Sequence, residues 1–393
     1  MKNDTRRVVR GGTFWGVVAL ISSVLLCPSG AAGQSAGNNA VYNPSGTCSP
    51  TCAASSAFID ASVFLGTGNN QSPTICGAIY GILSGKFYNY PGTGAVIDAR
   101  GISGTAALTC AAGATPWNNG TTAVTVPSTI LLPAGTIVIS KTWNLPPSTH
   151  LIGVGSNIPS TGFTPGTTLV APSGFSGSAM MSFCTTACTG IGVENLTLNG
   201  QGQAIDGIDN SNAQDLTYVD HVGLYRIVGT GLSVSGNAKN SGPYTNITFD
   251  MGGASGSSST HCASINGLTS TRGIRNLTCI SESNDLPAAV LLDSSSNLLK
   301  DVSIAGFYDG ILVGANAPAQ SNVLVNIIGD TSTCQPVCPN PIRVIHISNN
   351  KTGGSNNVSD LSIMGVGNET TSGPYTIGDD LTGTQIIDPH VPA

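Results

Sequence analysis

A short pattern of residues recurs along this chain and constrains its fold more than any other feature. The pattern begins with Asn or Asp, continues with a branched apolar residue and usually Thr or Ser, and ends with a further apolar residue. It occurs at residues 195–198, 246–249, 276–278, 301–304 and 360–363, and a degenerate copy occupies 221–224. Its first apolar position recurs at steps of 26, 25, 30 and 25 residues, at Leu196, Val222, Ile247, Leu277 and Val302. A repeat of this length indicates one supersecondary unit stacked many times.

The pattern inside each copy predicts a strand, because apolar and polar residues alternate. Strands stacked about 4.8 Å apart would form a continuous parallel sheet coiled around an apolar axis. Each coil is expected to contain a second strand, at residues 206–208, 230–234, 261–265, 288–291 and 309–313. The recurring Asn and Asp residues are expected to be structural, because their side chains stack between layers and tolerate left-handed backbone conformations. The sequence therefore predicts an all-β solenoid.

The two ends of the chain differ from the repeat. Residues 1–33 have a basic start, an apolar run over 14–26 and small residues before Gln34, which predicts a signal peptide rather than a membrane span of about 20 residues. Residues 34–73 are expected to be a flexible lead-in, 74–367 the β-helix domain, and 368–393 a C-terminal cap or tail. Within the domain, residues 74–83 have helical spacing, and Gly85 ends a short helix that would cap the open end of the solenoid.

Charge and cysteine content indicate the compartment and exclude some partners. Loss of residues 1–33 removes four of 14 basic and one of 20 acidic residues, which leaves 10 and 19 and a net charge of −9. This charge makes nucleic acid and anionic membranes poor partners. No second apolar run of membrane length follows, so no membrane insertion of the mature chain is expected. Ten cysteines remain, and an even number in an exported chain predicts disulfides. The expected pairs are Cys48–Cys52, Cys184–Cys188, Cys334–Cys338, Cys76–Cys110 and Cys262–Cys279.

Two segments carry a family resemblance. The segment "LLPAGTIVISKTWNLPPSTHLIGVGSN" resembles the opening coils of pectate-lyase-type right-handed parallel β-helix proteins, with their rhamnogalacturonase/epimerase-like and phage tailspike-like branches. The segment "TICGAIYGILSGKFYNYPGTGAVIDARG" is similar to the helix-then-strand opening of secreted bacterial members. The resemblance covers roughly residues 74–365 and implies a right-handed single-stranded helix. The Asp-Phe-Gly-Ala-x-Gly-Asp-Gly segment with which many members open is absent here.

Acidic residues cluster in a chain that has few charges. Asp206, Asp209 and Asp220 fall within 15 residues, and two carboxylates can act as acid and base across a glycosidic bond. The odd spacing of Asp206 and Asp209 places them on opposite faces of a straight strand, which argues against a pair. His261 begins the second strand of its coil, as do Asp206 and Asp309 in alternate coils, and is a further candidate acid or base.

Asp220 also lies in a sequence that resembles a known site. Residues 218–221, Tyr-Val-Asp-His, are similar to the Asp-His strand of calcium-dependent pectate lyases, which implies Ca²⁺ as a cofactor, although the sequence names no second ligand. Arg275 and Lys300 occupy equivalent positions one 25-residue step apart, where they would stack and grip a uronate carboxylate. The motif set typical of polygalacturonases, Asn-Thr-Asp, Asp-Asp, Gly-His-Gly and Arg-x-Lys, is absent.

Two functions follow from these patterns and from the fold analogy. The first is a secreted or periplasmic enzyme that acts on an extracellular polysaccharide, as a lyase or glycoside hydrolase and with a uronate-containing glycan as substrate. The second is a non-catalytic glycan-binding or cell-surface structural solenoid. The enzyme predicts acidic residues that converge in an exposed groove. The binding protein predicts a groove lined by Asn, Ser, Thr and Tyr without a perturbed carboxylate pair.

Overall fold

The structure is a computed structural model that describes most of the chain between residues 58 and 379. The described residues are 58–87, 96–156, 158, 166–268, 272–281, 286–330, 343–348, 351–352, 355–356, 358–368 and 377–379. One helix is present in this part of the chain, α1 (Ile75–Leu83), together with a 3₁₀ turn at Ala61–Phe64. Everything else that is regular is strand.

In chain order, the strands are β1 (Phe58–Asp60), β2 (Val96–Asp98), β3 (Ser128–Leu131), β4 (Gly135–Val138), β5 (Lys141–Leu145), β6 (Thr149–Ile152), β7 (Thr167–Val170), β8 (Ser176–Phe183), β9 (Gly192–Gln203), β10 (Asp206–Asn210), β11 (Tyr218–Ile227), β12 (Thr230–Ser235), β13 (Tyr244–Asp250), β14 (His261–Asn266), β15 (Ile274–Ile280), β16 (Leu286–Leu292), β17 (Leu298–Ala305), β18 (Phe307–Val313), β19 (Ala319–Gln320), β20 (Val323–Asp330), β21 (Arg343–Ile347), β22 (Lys351–Thr352), β23 (Ser355–Asn356), β24 (Val358–Ser359), β25 (Ser362–Asn368) and β26 (Ile377–Asp379).

Two long parallel sheets contain nearly all of these strands. Sheet one runs β1-β2-β3-β6-β9-β11-β13-β15-β17-β20-β25, with β4 and β7 beside β9. Sheet two runs β5-β8-β10-β12-β14-β16-β18-β21-β26. From β8 to β18, each coil contributes one strand to each sheet, so successive strands along the chain alternate between the sheets. The predicted right-handed single-stranded parallel β-helix with a short N-terminal helix is confirmed.

The register of sheet one stacks the repeat as predicted. Val222 pairs with Leu196 and Ile247, Ile247 pairs with Leu277, and Leu277 pairs with Val302. All five anchors are at most 1% exposed and form a column in the core. The core is therefore a set of parallel apolar columns, and burial of each column stabilises several coils at once. The expected second strands are present as β10, β12, β14, β16 and β18.

The Asn and Asp positions of the repeat form a second column. Six non-glycine residues have φ between 51° and 56° in equivalent positions, namely Asn195, His221, Asn246, Asn276, Asp301 and Asn326. Asn and Asp occur here because their short polar side chains lower the penalty of a left-handed conformation. Their side chains bond between layers: Asn276 Nδ2 donates to Asn246 Oδ1 at 2.6 Å, and Asn326 Nδ2 donates to Asp301 Oδ1 at 2.8 Å.

One assignment within the repeat is wrong. The pattern at 360–363 predicts that Asp360 continues this column, but Ile327 pairs with Val366, so Gly365 lies opposite Asn326. Asp360 has φ 52° and precedes β25, in the position equivalent to Ser321 before β20. The pattern misleads because each coil has two left-handed positions here, one before the strand and one inside it, and both favour residues that tolerate positive φ.

The N-terminal region begins earlier than the expected domain boundary. Strand β1 lies within the expected lead-in 34–73 and pairs in parallel with β2, and its Ile59 is buried while Phe58 and Asp60 on either side are exposed. Helix α1 follows, with the Thr74 side chain accepting the Gly77 N–H at 3.3 Å as an N-cap. Most of its side chains are buried, so α1 is part of the core.

Three predicted disulfides are confirmed: Cys76–Cys110, Cys184–Cys188 and Cys262–Cys279. The last one crosses the core, because Cys262 lies in β14 of sheet two and Cys279 lies in β15 of sheet one. The other two expected pairs, the signal peptide and almost all of the C-terminal segment lie outside the described residues. Among the described helices, none is long and apolar enough to cross a membrane.

Candidate functional site

Register places five polar side chains in one outward-facing column of sheet one, which is called here the polar column. Glu194 pairs with Asp220, Asp220 with Thr245, Thr245 with Arg275, and Arg275 with Lys300. Neighbouring members lie on strands about 4.8 Å apart. Two carboxylates therefore occupy one end of the column and two cations the other, and Arg275 and Lys300 lie at paired positions of neighbouring strands, as the 25-residue step predicts.

Asp220 is the most heavily bonded member of the polar column. Its Oδ1 accepts from Thr245 Oγ1 at 2.6 Å and from Asn246 Nδ2 at 2.7 Å, and its Oδ2 lies 2.8 Å from His221 Nδ1. Burial pushes the pKa of Asp220 upward, but the hydrogen bonds from Thr245, His221 and Asn246 outweigh burial and hold that pKa below its usual value. Asp220 is therefore ionised at neutral pH.

The bond to Asp220 determines how His221 can act. An ionised carboxylate only accepts, so the Nδ1 atom of His221 carries the proton and Nε2 is left as an acceptor. The His221 side chain is 56% exposed, so Nε2 is open to a ligand. Sequence reasoning treated His221 as a degenerate copy of the repeat and as part of the Asp-His resemblance, and gave it no catalytic role. The Asp-His order in the sequence was visible, but the bond depends on the left-handed backbone of His221.

A second polar group lies beside this pair. The Tyr218 hydroxyl donates to Glu194 Oε1, and His150 Nδ1 lies 3.3 Å from the same hydroxyl. Gly192 separates His150 from Tyr218 in the register, and a Cβ there would lie 2.7 Å from His150 Nδ1 and 2.9 Å from Tyr218 Cζ. The glycine thus lets the two rings meet across its strand. Burial and the carboxylates of Glu194 and Asp220 raise the pKa of Tyr218, so it stays protonated.

The cations at the other end of the column are open to solvent. Lys300 Nζ lies 3.9 Å from Asp301 Oδ2, a long contact between side chains that are 46% and 43% exposed. A contact of this kind contributes little to stability. Both cations are therefore available to an anionic ligand that lies along the column.

The other three predicted residues lie on sheet two. Asp206 Oδ1 accepts the Thr230 N–H at 2.6 Å. Burial raises the pKa of Asp206, although the Thr230 bond and His261 oppose the rise. Burial, followed by the charge of Asp206, raises the pKa of Asp209 as well. Both side chains are half-buried on the outward face of β10, so the expected opposite orientation is wrong. The two residues between them, Gly207 and Ile208, are both buried, so the strand departs from simple alternation.

His261 lies one strand beyond Thr230 in the same column as Asp206. Its Nδ1 lies 2.7 Å from the Ala288 carbonyl, and a carbonyl only accepts, so Nε2 is the free nitrogen. Asp309 lies two strands further, as predicted, but it is already paired: its carboxylate accepts from Arg343 Nε at 3.0 Å and from His346 Nδ1 at 2.7 Å. Asp309 therefore has a structural role.

The six predicted residues thus form two groups on two faces rather than one site. Asp220, Arg275 and Lys300 share sheet one, whereas Asp206, Asp209 and His261 share sheet two. The core and the buried Cys262–Cys279 disulfide lie between the sheets. Sequence reasoning missed the participation of His150, Glu194, Tyr218 and His221, and the signal that could have found them is the alignment of coils by register.

The residues around Asp220 do not suit a calcium ion. Both carboxylate oxygens already accept hydrogen bonds from donors, whereas Ca²⁺ needs several converging oxygen ligands. In the described parts of the chain, no group of three or more His, Cys, Asp or Glu side chains is placed to hold a metal.

Some solved protein structures are similar to this chain. No protein-family model matches the sequence, and no curated protein matches it. The A-module of mannuronan C-5 epimerase AlgE4 from Azotobacter vinelandii is 14% identical, with 85% of this chain and 99% of that chain covered and a TM-score of 0.33. The AlgE6 A-module from the same organism is 15% identical, with 67% and 91% covered and a TM-score of 0.22.

A third solved structure is DFA-IIIase from Arthrobacter chlorophenolicus A6. It is 10% identical, with 86% of this chain and 93% of that chain covered and a TM-score of 0.32. The chain has the parallel β-helix fold. At these identities and TM-scores the similarities say nothing of activity, and the fold itself rests on the strand pairing described above.

Proposed function

We propose that this protein is an exported lyase that cleaves a uronate-containing polysaccharide on the outward face of sheet one. The observation that carries the proposal is the Asp220–His221 pair in line with Arg275 and Lys300. Arg275 lies two strands from Asp220 in the polar column, and a cation that holds a carboxylate stabilises the charge that develops when a base removes the proton from the neighbouring carbon. Disulfides are typical of exported proteins, which agrees with an extracellular substrate.

The proposed reaction is a β-elimination with roles assigned by position. Arg275, supported by Lys300, binds the uronate carboxylate. His221 Nε2 removes the proton from C5, and Asp220 stabilises the imidazolium that forms. The electron pair of the C–H bond becomes the C4–C5 double bond, and the C4–O4 bond breaks. Tyr218 gives its proton to the departing O4 oxygen, with His150 next to the phenolate left behind.

The test uses the full chain and a panel of polygalacturonate, alginate, hyaluronan and neutral glucans. Elimination creates a double bond conjugated with the carboxylate, so ultraviolet absorbance should rise together with new reducing ends on one polyuronate. His221→Gln should lower the rate of elimination by a factor of at least about 100, because a general base typically contributes that much. Arg275→Gln should mainly raise KM if the guanidinium binds the ground-state carboxylate.

Arg100→Gln is the matched control for Arg275. Arg100 is also an exposed arginine, and it pairs with Asp98 outside the polar column. Its replacement should leave elimination unchanged. A His221→Gln variant with full activity would disprove the assigned base, and silence of the wild type on every polyuronate would remove the lyase proposal.

A second candidate reaction is glycoside hydrolysis at Asp206 and Asp209. The raised pKa of both carboxyls favours it, because one of a hydrolase pair must hold a proton at working pH. The same panel separates the reactions, since hydrolysis gives reducing ends without ultraviolet absorbance. In that case Asp206→Asn and Asp209→Asn should abolish activity, whereas Asp220→Asn should not.

A further inference from the structure

A cavity of about 460 Å³ lies at the N-terminal end of sheet two, on the same outward face as Asp206 and Asp209. One wall is the loop that contains Trp117, the floor is β5, and the opposite wall is the turn 184–186. Asn144 of β5 pairs with Ser182 of β8, which pairs with Asp209 of β10. The volume falls in the range of small-molecule sites, which is about 300–1,000 Å³.

The walls of this cavity are held in place by covalent and hydrogen bonds. The turn at 184–186 is closed by the Cys184–Cys188 disulfide. Across the cavity, the Gly113 N–H donates to Ser140 Oγ at 3.0 Å, and the Trp117 carbonyl accepts the Val124 N–H at 2.8 Å. A site with fixed walls loses little conformational entropy when a ligand enters.

The lining combines apolar surface with hydroxyl and amide side chains, and it carries a single charge among its described residues. The hydroxyl and amide side chains can donate to and accept from sugar hydroxyls; they are Thr115, Asn118, Thr125, Thr142, Asn144, Thr185 and Thr186. Lys141 is the charged residue, and it forms no ion pair within the described part of the chain. No carboxylate lines the cavity. A ligand with hydroxyl groups and one acidic group matches this set.

Two tryptophans meet at the wall. Trp117 lines the cavity, and its ring packs edge-to-face on that of Trp143 with centroids 5.9 Å apart. The Trp117 Nε1 atom has no hydrogen-bond partner among the described residues, although the side chain is only 3% exposed. Buried donors normally have partners, so this donor, together with the Trp143 Nε1 atom, leaves the wall incompletely hydrogen-bonded.

We propose that this cavity binds a short acidic saccharide, with Lys141 on the carboxylate and Asn144 and the threonines on the hydroxyls. The cavity is a binding site and not part of the elimination site, because it lies on the other sheet. This binding proposal does not depend on the proposed lyase function. A saccharide site here would hold the glycan strand in a catalytic and in a non-catalytic β-helix alike.

Tryptophan fluorescence provides a direct test. The chain has three tryptophans, and Trp15 lies in the predicted signal peptide, so the mature chain reports only from Trp117 and Trp143. Titration with oligogalacturonate, or with oligomers from alginate or hyaluronan, should give a saturable change for at least one of them. The carboxyl-reduced, neutral form of that oligomer should bind about tenfold more weakly, the effect of one lost charge-assisted hydrogen bond.

Substitutions separate this site from the elimination site. Lys141→Gln and Asn144→Ala should each weaken the titration about tenfold and leave elimination of soluble oligomers unchanged. Lys239→Gln, at an exposed lysine that does not line the cavity, is the control and should bind as the wild type does. Asp220→Asn should remove elimination and keep the fluorescence response.

The outcomes are distinct. No saturable response to any oligomer, or equal affinity of the Lys141 variant and the control, overturns the saccharide site. A saturable response without elimination by the wild type overturns the lyase alone. The third outcome is a Lys141→Gln variant that binds more weakly while the wild type binds the acidic and the neutral oligomer equally. This result overturns the role given to the charge of Lys141.

Discussion

The Nδ1 atom of His221 lies 2.8 Å from Oδ2 of Asp220, although the two side chains belong to consecutive residues of one strand. Consecutive side chains of a strand normally point to opposite faces. Here His221 has φ 51°, in the left-handed column of the coil, and this keeps its ring on the outward face beside Asp220. A backbone position required by the solenoid thus creates a pair with the geometry of a general base and its orienting carboxylate.

Replacement of Asp220 by Asn should lower the rate of elimination at least about a hundredfold. The amide keeps the shape, but it cannot stabilise the protonated imidazole or hold the Nδ1–H tautomer as a carboxylate does. Rates on the best polyuronate measure this effect, and circular dichroism verifies the fold. Asp301→Asn is the control, because Asp301 is in the neighbouring left-handed column, where Asn is native at Asn276 and Asn326. Equal losses in the two variants would refute a specific role of Asp220.

Replacement of Gly192 by Ala should lower activity and change stability little. The added methyl would lie within 3 Å of His150 and of the Tyr218 ring, so the two side chains must move apart. Because both are side chains on the outer surface, the fold can adjust, whereas the proton donor cannot keep its position. We expect about a tenfold loss of kcat. Gly101→Ala, whose methyl would meet Ser62 at 3.3 Å, is the comparison and should retain full activity.

Replacement of Asp209 by Asn should raise thermal stability at neutral pH. Burial raises the pKa of Asp209, so the folded state binds a proton more readily than the unfolded state does. Protonation of Asp209 therefore stabilises the folded protein as the pH falls through the folded-state pKa. Above that pH, the charged carboxylate destabilises the folded protein. We expect Tm to rise by on the order of 1 °C at pH 7, with the difference lost near pH 4. Thermal scans at both pH values measure this, and a lower Tm at pH 7 would contradict it.

Replacement of Asn276 by Ala should destabilise the protein by about 1–2 kcal/mol, the cost of a left-handed residue with a Cβ. The alanine variant also lacks the hydrogen bond from the Asn276 side chain to Asn246. Asn276→Gly removes the same side chain without the backbone penalty, so it should be more stable than the alanine variant. Urea unfolding followed by circular dichroism gives the difference. Equal free energies of unfolding for Asn276→Ala and Asn276→Gly would show that the left-handed backbone does not explain why Asn occupies this column.

Removal of the Cys262–Cys279 disulfide should cost about 3 kcal/mol, given a loop of 17 residues. The Cys184–Cys188 bridge closes a separation of only four residues, so its removal should cost about 2 kcal/mol by the same chain-entropy argument. Double alanine variants compared by urea unfolding test this order. The reverse order would show that local strain, rather than loop entropy, dominates.

Much of the fold is predictable from the sequence because the repeat is local and periodic. The steps between Leu196 and Val302 give the coil length, and each coil then pairs with its neighbours in one register. The same periodicity places Arg275 opposite Lys300 and aligns Asp206, His261 and Asp309. Assignment of the short C-x3-C pairs leaves four cysteines with three possible pairings, and the expected one, Cys76–Cys110 with Cys262–Cys279, is present in the structure.

Other features depend on contacts that periodicity does not encode. The last described coil has one left-handed position before β25, at Asp360, and another inside β25, at Gly365, so the pattern at Asp360 is assigned to the wrong one. Asp209 shares a face with Asp206 because β10 does not alternate regularly. His150 reaches Tyr218 only because Gly192 leaves room between them, and no pattern in the chain indicates this.

The sequence by itself determines the solenoid, its two strands per coil and its left-handed Asn column, because each is repeated by the same local preference in every coil. Tertiary structure alone decides which outward side chains meet. The bond between Asp220 and His221, the contact of Glu194 with Tyr218 and the cavity at Lys141 each join parts of the molecule through turns, loops or strand stacking. Those contacts depend on the shape of a few individual coils, and a repeat carries no information about how its copies differ.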